Sequence, residues 1–206
     1  MAVFLVSLLP LARLVWLAQT DYGLGANPVE FITRSTGTWT LVFICLTLAV
    51  TPLRKLLGKP QIVRLRRMLG LYAFFYGCLH FTIWFYLDQD LDLTAMLKDV
   101  VKRPFITAGF TALVLMLPLA LTSPHFMARW LGGARWRKLH RLVYVAAILH
   151  YFWHKAGKHD FGTVAIYAAV IALLLGMRLW WAFGPAGKGA RGALRIAARQ
   201  RLRSIA

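Results

Sequence analysis

Acidic side chains are scarce in this chain of 206 residues: seven in all, with Glu30 the lone glutamate. Charged residues make up 16%, against roughly 25% in an average soluble protein. Cysteine is also rare. Cys45 and Cys78 stand alone in apolar runs without C-x-x-C spacing, which excludes a disulfide scaffold or a zinc finger and leaves simple packing as their reading. No glycine-rich phosphate loop, Walker-type motif or internal repeat is present, which argues against a nucleotide-driven pump. What fills the chain instead is apolar and basic: 59% hydrophobic residues, 25 Lys and Arg, and a net charge of +18. A soluble nucleic-acid binder would carry such charge on a normal apolar content, and a disordered basic tail would lack the 14% of aromatics. The combination points to a polytopic membrane protein with no nucleic-acid partner.

Six apolar stretches predict an all-α bundle of six transmembrane helices: Val3–Ala18, Trp39–Leu53, Met68–Leu87, Phe105–Thr122, Leu139–Trp153 and Phe161–Phe183. The first has no basic n-region and no A-x-A cleavage site, so it reads as a retained span rather than a signal peptide. Arg13 within it either snorkels or faces the bundle interior. Sixteen basic residues gather on one side: Arg54, Lys55, Lys59, Arg64, Arg66 and Arg67, then Arg129, Arg135, Arg137 and Lys138, then Lys188, Arg191, Arg195, Arg199, Arg201 and Arg203. The opposite loops carry six (Arg34, Lys98, Lys102, Arg103, Lys155, Lys158) and most of the acids. By the positive-inside rule both termini are cytoplasmic. The organisation read from this is a six-helix domain over residues 1–183 and a basic cytoplasmic tail over 184–206, lying on anionic lipid.

Ionisable groups inside spans are costly and therefore functional candidates. Of six histidines, His125 and His159 fall in loops. His80 lies about 18 Å along the third span at 1.5 Å per residue. His140 opens the fifth, and His150 and His154 lie toward its far end. Imidazoles on facing helices suit axial ligation of a haem, whereas a bare iron or zinc site would want carboxylates or thiolates that the spans lack. Two haems stacked across a membrane need ligands about 21 Å apart on one helix, a step of 14 residues such as His140 to His154. The same step back from His80 meets Arg66, not histidine, so a cytoplasmic-side haem would have His140 without an opposing histidine. Arg66 or Arg67 would then contact its propionates or iron; topology and anionic lipid are the plainer use for both.

Specific runs carry a family likeness: Gly23-Leu24-Gly25-Ala26-Asn27-Pro28-Val29, Thr51-Pro52-Leu53, Arg66-Arg67-Met68-Leu69-Gly70-Leu71 leading to His80, Arg103-Pro104-Phe105, Leu121-Thr122-Ser123, and Trp136 through Tyr144 around His140. Over nearly its whole length the chain resembles the MsrQ (YedZ) haem-binding membrane subunits, within the wider ferric-reductase-like transmembrane family. The resemblance implies a bacterial inner-membrane b-type cytochrome with one or two haems. It would pass electrons to MsrP, a periplasmic molybdopterin enzyme that reduces methionine sulfoxide in oxidised proteins. Quinone or a cytosolic flavin reductase would be the donor, and the family is also associated with FMN. It assigns His80 and His140 as haem ligands. For the third, His150 followed by Tyr151-Phe152-Trp153 matches the local pattern, and His154 matches the depth; both stand.

The mechanism expected is electron transfer without substrate chemistry in this chain, entering near His140 and leaving near His80. Asp88, Asp90, Asp92 and Asp99 would offer a docking surface for the soluble partner. Another ferric-reductase-like electron carrier is the nearest alternative. A small transporter would want broken midplane helices and inverted repeats, and a bare anchor would not need the histidines. A self-contained ferric reductase would need a soluble flavin domain, for which 23 residues of tail are too short.

Overall fold

The computed structural model describes residues 2–20, 23–156 and 161–183; within these, the side chains at 153–156, 161, 163 and 182 are not described. All regular structure among the described residues is helical. The order is α1 Ala2–Ala18, α2 Pro28–Leu57, a single 3-10 turn Pro60–Ile62, α3 Val63–Leu87, α4 Leu93–Lys102, α5 Pro104–Leu121, α6 His125–Leu131, α7 Gly133–Leu139, α8 Leu142–Ala156 and α9 Phe161–Phe183. Four stretches are long and apolar enough to cross a membrane: Pro28–Leu57, Pro60–Leu87, Pro104–Leu121 and Val164–Trp181. The chain is thus a multi-pass membrane protein. The remaining two of the six expected stretches form α1 and α8, of 17 and 15 residues.

Helix α2 begins well before the expected Trp39. Asn27 caps it: its Oδ1 accepts from the Glu30 amide at 3.1 Å while its Nδ2 donates to Glu30 Oε2, and Pro28 sits at the first helical position. Polar residues in the first turns lowered the hydropathy that located the span. They do no harm to the helix, because the Thr36, Thr40 and Thr47 hydroxyls donate back to carbonyls one turn earlier (Ile32, Thr36 and Phe43) at 2.7–3.0 Å. Gly58, at φ 64°, closes the helix in the left-handed conformation that glycine adopts without a Cβ penalty.

Packing is pairwise. Helix α2 lies chiefly against α3, and α5 chiefly against α8. The second contact is close because small residues line it: Ala112 on α5 and Ala146 and Ala147 on α8 are fully buried. Helix α1 is attached to α3 by two tyrosines. The Tyr72 hydroxyl donates to the Phe4 carbonyl at 3.0 Å. Tyr76, completely buried, donates to the Ser7 carbonyl at 2.9 Å and accepts from the Leu11 amide at 3.2 Å. Its hydroxyl therefore stands between the two groups that a regular helix would pair directly, one residue past Pro10. Phe43 of α2 stacks on both rings, with centroids 5.6 and 5.2 Å away.

One expected span does not form a single helix. His140 lies in a break: α7 ends at Leu139, His140 caps it, and α8 starts only at Leu142. The tie that holds the break is Trp136, whose Nε1 donates to the carbonyl of Thr122 at the end of α5.

Removing the Tyr76 hydroxyl strands two helix groups in the interior, so Tyr76→Phe is expected to destabilise the protein by about 1–3 kcal/mol. Thermal unfolding in detergent should show a lowered midpoint, while Tyr86→Phe, on an exposed ring, should not.

Candidate functional site

Two cavities open between the α2–α3 pair and the α5–α8 pair, one beyond the other along the bundle. The first, about 210 Å³, is nearer the acidic loops and is lined by both His80 of α3 and His150 of α8. Both rings are held by helix α2. Nδ1–H of His80 donates to the Thr33 carbonyl at 2.9 Å, and Nε2–H of His150 donates to the Gly37 carbonyl at 3.0 Å. The Thr36 hydroxyl stands 3.4 Å from His80 Nδ1 as well. A carbonyl oxygen has two lone pairs, so it can serve the helix and an imidazole together. Each contact sets a neutral tautomer and fixes the ring plane, which is how histidine ligands are oriented.

The remaining walls are apolar and aromatic: Phe81, Trp84, Phe105, Ile106, Phe110 and Leu113. Gly77 keeps the floor low. A Cβ there would lie 3.2 Å from Leu113 Cδ1 and from Met116 Cε, so a side chain would intrude on the packing. Two polar groups reach the same cavity. Arg103 lines its mouth, and the Thr33 hydroxyl is buried there without a hydrogen-bond partner. An unsatisfied buried hydroxyl beside a flat apolar slot fits a ligand that brings its own polar groups.

The second cavity, about 230 Å³, shares Met116 with the first and lies toward the basic loops. His140, Arg66, Arg67 and Ser123 supply its polar lining, with Ile44, Leu119, Ala120, Trp136 and Val143 around them. The His140 ring stacks on Trp136 with centroids 3.9 Å apart, and its Nδ1–H donates to the Trp136 carbonyl at 3.1 Å. Among the described residues the ion pairs are Arg34–Glu30 and Arg103–Asp99, so neither Arg66 nor Arg67 has a carboxylate partner.

Five of the six residues singled out from sequence therefore line these cavities: His80 and His150 the first, His140, Arg66 and Arg67 the second. The side chain of His154 lies outside the described residues, as does His159. The helix break explains the spacing: because His140 is not in register with α8, a 14-residue step along one helix does not apply, and His150 reaches the first cavity from ten residues away. The sequence reading missed Arg178, near the C-terminal end of the sixth apolar stretch. Its Nη1 donates to the Tyr144 hydroxyl and its Nη2 to the Leu48 carbonyl, both at 2.6 Å. A charged residue at that depth is itself the signal that would have found it.

The donor set is two neutral imidazoles facing one slot. No group of three or more His, Cys, Asp or Glu that could cage an ion occurs among the described residues. Such a set suits a planar macrocycle held from its axial faces better than a caged metal ion.

Residues 36–151 match the family model described as ferric reductase like transmembrane component. Three relatives carry the name protein-methionine-sulfoxide reductase heme-binding subunit MsrQ. The one from Ralstonia nicotianae is 63% identical over 92% of this chain and 88% of its own length. That from Herminiimonas arsenicoxydans is 58% identical over 87% and 84%, and that from Bordetella pertussis 58% over 86% and 88%. No solved structure matches.

Because the Thr33 hydroxyl is an orphan in the protein alone, Thr33→Val should leave the ligand-free chain as stable or raise its stability by about 1–2 kcal/mol. A lowered unfolding midpoint in detergent would reveal a partner for that hydroxyl.

Proposed function

From a chain that belongs to the ferric-reductase-like transmembrane family and, within it, to the MsrQ haem-binding subunits of protein-methionine-sulfoxide reductase, we propose a b-type cytochrome that carries electrons across the bacterial inner membrane. The observation that carries the reading is the shared slot of His80 and His150, with a second slot stacked beyond the Met116 wall. A haem in the first slot supplies one-electron exchange at its iron. His80 would hold it through Nε2, the ring nitrogen on the far side from the Nδ1 bond to Thr33. His150 turns Nε2 toward Gly37, so its ligation draws on Nδ1 or on the ring turned about its Cβ–Cγ bond. Of the two candidates for the third histidine, His150 is preferred because its ring lines the slot. Thr33 and Arg103 are positioned to receive propionates.

The second slot takes a further haem on His140, with Arg66 and Arg67 meeting its propionates or iron in place of an opposing histidine. The basic loops put this slot on the cytoplasmic side, with both termini, and the tail of residues 184–206 follows the six-helix domain there. Electrons enter at this face from quinone or a cytosolic flavin reductase, where the arginines attract anionic flavin phosphate such as that of FMN. They leave beside His80, toward the periplasmic molybdopterin enzyme MsrP. On that face Asp92 caps α4 and Asp99 pairs with Arg103, so Asp88 and Asp90 are the acids left to meet a partner.

Purified protein in detergent should show a Soret band that shifts on reduction with dithionite; its absence would sink the haem reading. His80→Ala and His150→Ala should remove the same spectral component, and His140→Ala a different one. Should His154→Ala remove the His80 component while His150→Ala spares it, the ligand assignment is wrong.

A further inference from the structure

Arg178, half-buried near the end of α9, is tied to α8 and α2 by two hydrogen bonds of its guanidinium, while its Nε is buried without a partner. Its position is over-determined. The Leu48 carbonyl that accepts from Nη2 is the one Pro52 cannot serve, since proline has no N–H to offer four residues on. Tyr144 accepts from Nη1, and its ring lies under the guanidinium carbon at 5.2 Å. Leu48 and Tyr144 follow Thr47 and Val143 in sequence, and those two residues line the second slot, so Arg178 is anchored behind that wall rather than in the slot.

Both partners are also neutral, so the charge of Arg178 is held but not cancelled. Arg66 and Arg67 line the slot itself, so the cations there and Arg178 carry charge of the same sign. No carboxylate pairs with any of the three among the described residues. A clamp between α2, α8 and α9 could be built with a neutral amide, without taking a charge into the apolar interior. The charge itself is what the arrangement preserves. A fixed positive charge favours the reduced form of any redox group near it, and a half-buried charge is screened by salt less than a surface one.

We infer that Arg178 is a positioning residue of the second slot: held by Tyr144 and by the carbonyl that Pro52 releases, it supplies a permanent positive charge that raises the reduction potential of the haem bound there. The inference rests on the proposed haem in that slot, and one experiment separates the two.

Optical redox titrations of haem-loaded protein in detergent would compare wild type with Arg178→Gln, Arg178→Lys and Tyr144→Phe, using His140→Ala to identify the second-slot component. Arg178→Gln should move that component to lower potential and leave the His80 component in place. Arg178→Lys and Tyr144→Phe keep the charge and should stay close to wild type. The role of Arg178 is overturned if Gln leaves the second-slot component unmoved, if both components move alike, or if Lys shifts it as far as Gln. If the Gln variant fails to retain haem, Arg178→Met takes its place as the charge-removing variant under the same criteria. If His140→Ala removes no component, the haem reading of the second slot falls, and the role of Arg178 with it.

Discussion

Two backbone carbonyls one turn apart on α2, those of Thr33 and Gly37, hold the arrangement together at its functional centre. Each accepts from an imidazole on a different helix, His80 on α3 and His150 on α8. In an apolar interior a histidine without such an acceptor would be both costly to bury and free to turn. The same two contacts tie α3 and α8 to neighbouring turns of α2. The long, threonine-rich α2 is suited to this. The Thr36, Thr40 and Thr47 hydroxyls donate back to carbonyls of their own helix, and the Thr33 carbonyl accepts from both the Thr36 hydroxyl and the His80 ring.

The same accounting governs the irregular places in the helices. Without water in the hydrocarbon region, backbone groups released by a proline or a kink must find partners in the protein. Past Pro10 the Tyr76 hydroxyl bridges the Ser7 carbonyl and the Leu11 amide, and opposite Pro52 Arg178 takes the Leu48 carbonyl. Each repair comes from a different helix, so each defect becomes a tertiary contact. Helix α1 is joined to α3 in this way, and α9 to α2, where smooth helices would have offered only apolar contact. Prolines that look like weaknesses in a span thus specify which helices meet.

Hydropathy located the four stretches long and apolar enough to span, because length and apolarity are what a bilayer demands of a helix. The imidazoles and arginines lining the slots were legible for the complementary reason: an ionisable residue inside an apolar run stands out. What could not be read was local backbone geometry. The start of α2 at Pro28 depends on the Asn27–Glu30 cap, which outweighs the polar residues that depress hydropathy. The break at His140 depends on Trp136 reaching the Thr122 carbonyl, a contact that exists only once α5 is in place. The spacing argument took His140 and His154 on one continuous helix, whereas His140 stands before the start of α8. Arg178 was visible in principle, yet its meaning depends on Leu48 and Tyr144, far away in sequence.

The two slots differ in a way that bears on direction. The first is a pair of neutral imidazoles among aromatics; the second has one imidazole among arginines with no acids to match. A redox group in the cationic slot accepts an electron readily, and by the same token gives it up to the neutral slot less readily. On the proposed sidedness the membrane offsets that step. The cytoplasm is negative, so moving an electron outward is favoured by up to about 2.3 kcal/mol per 100 mV, scaled by the fraction of the field crossed. A cationic entry slot therefore suits a carrier that must collect electrons from a modest donor and export them.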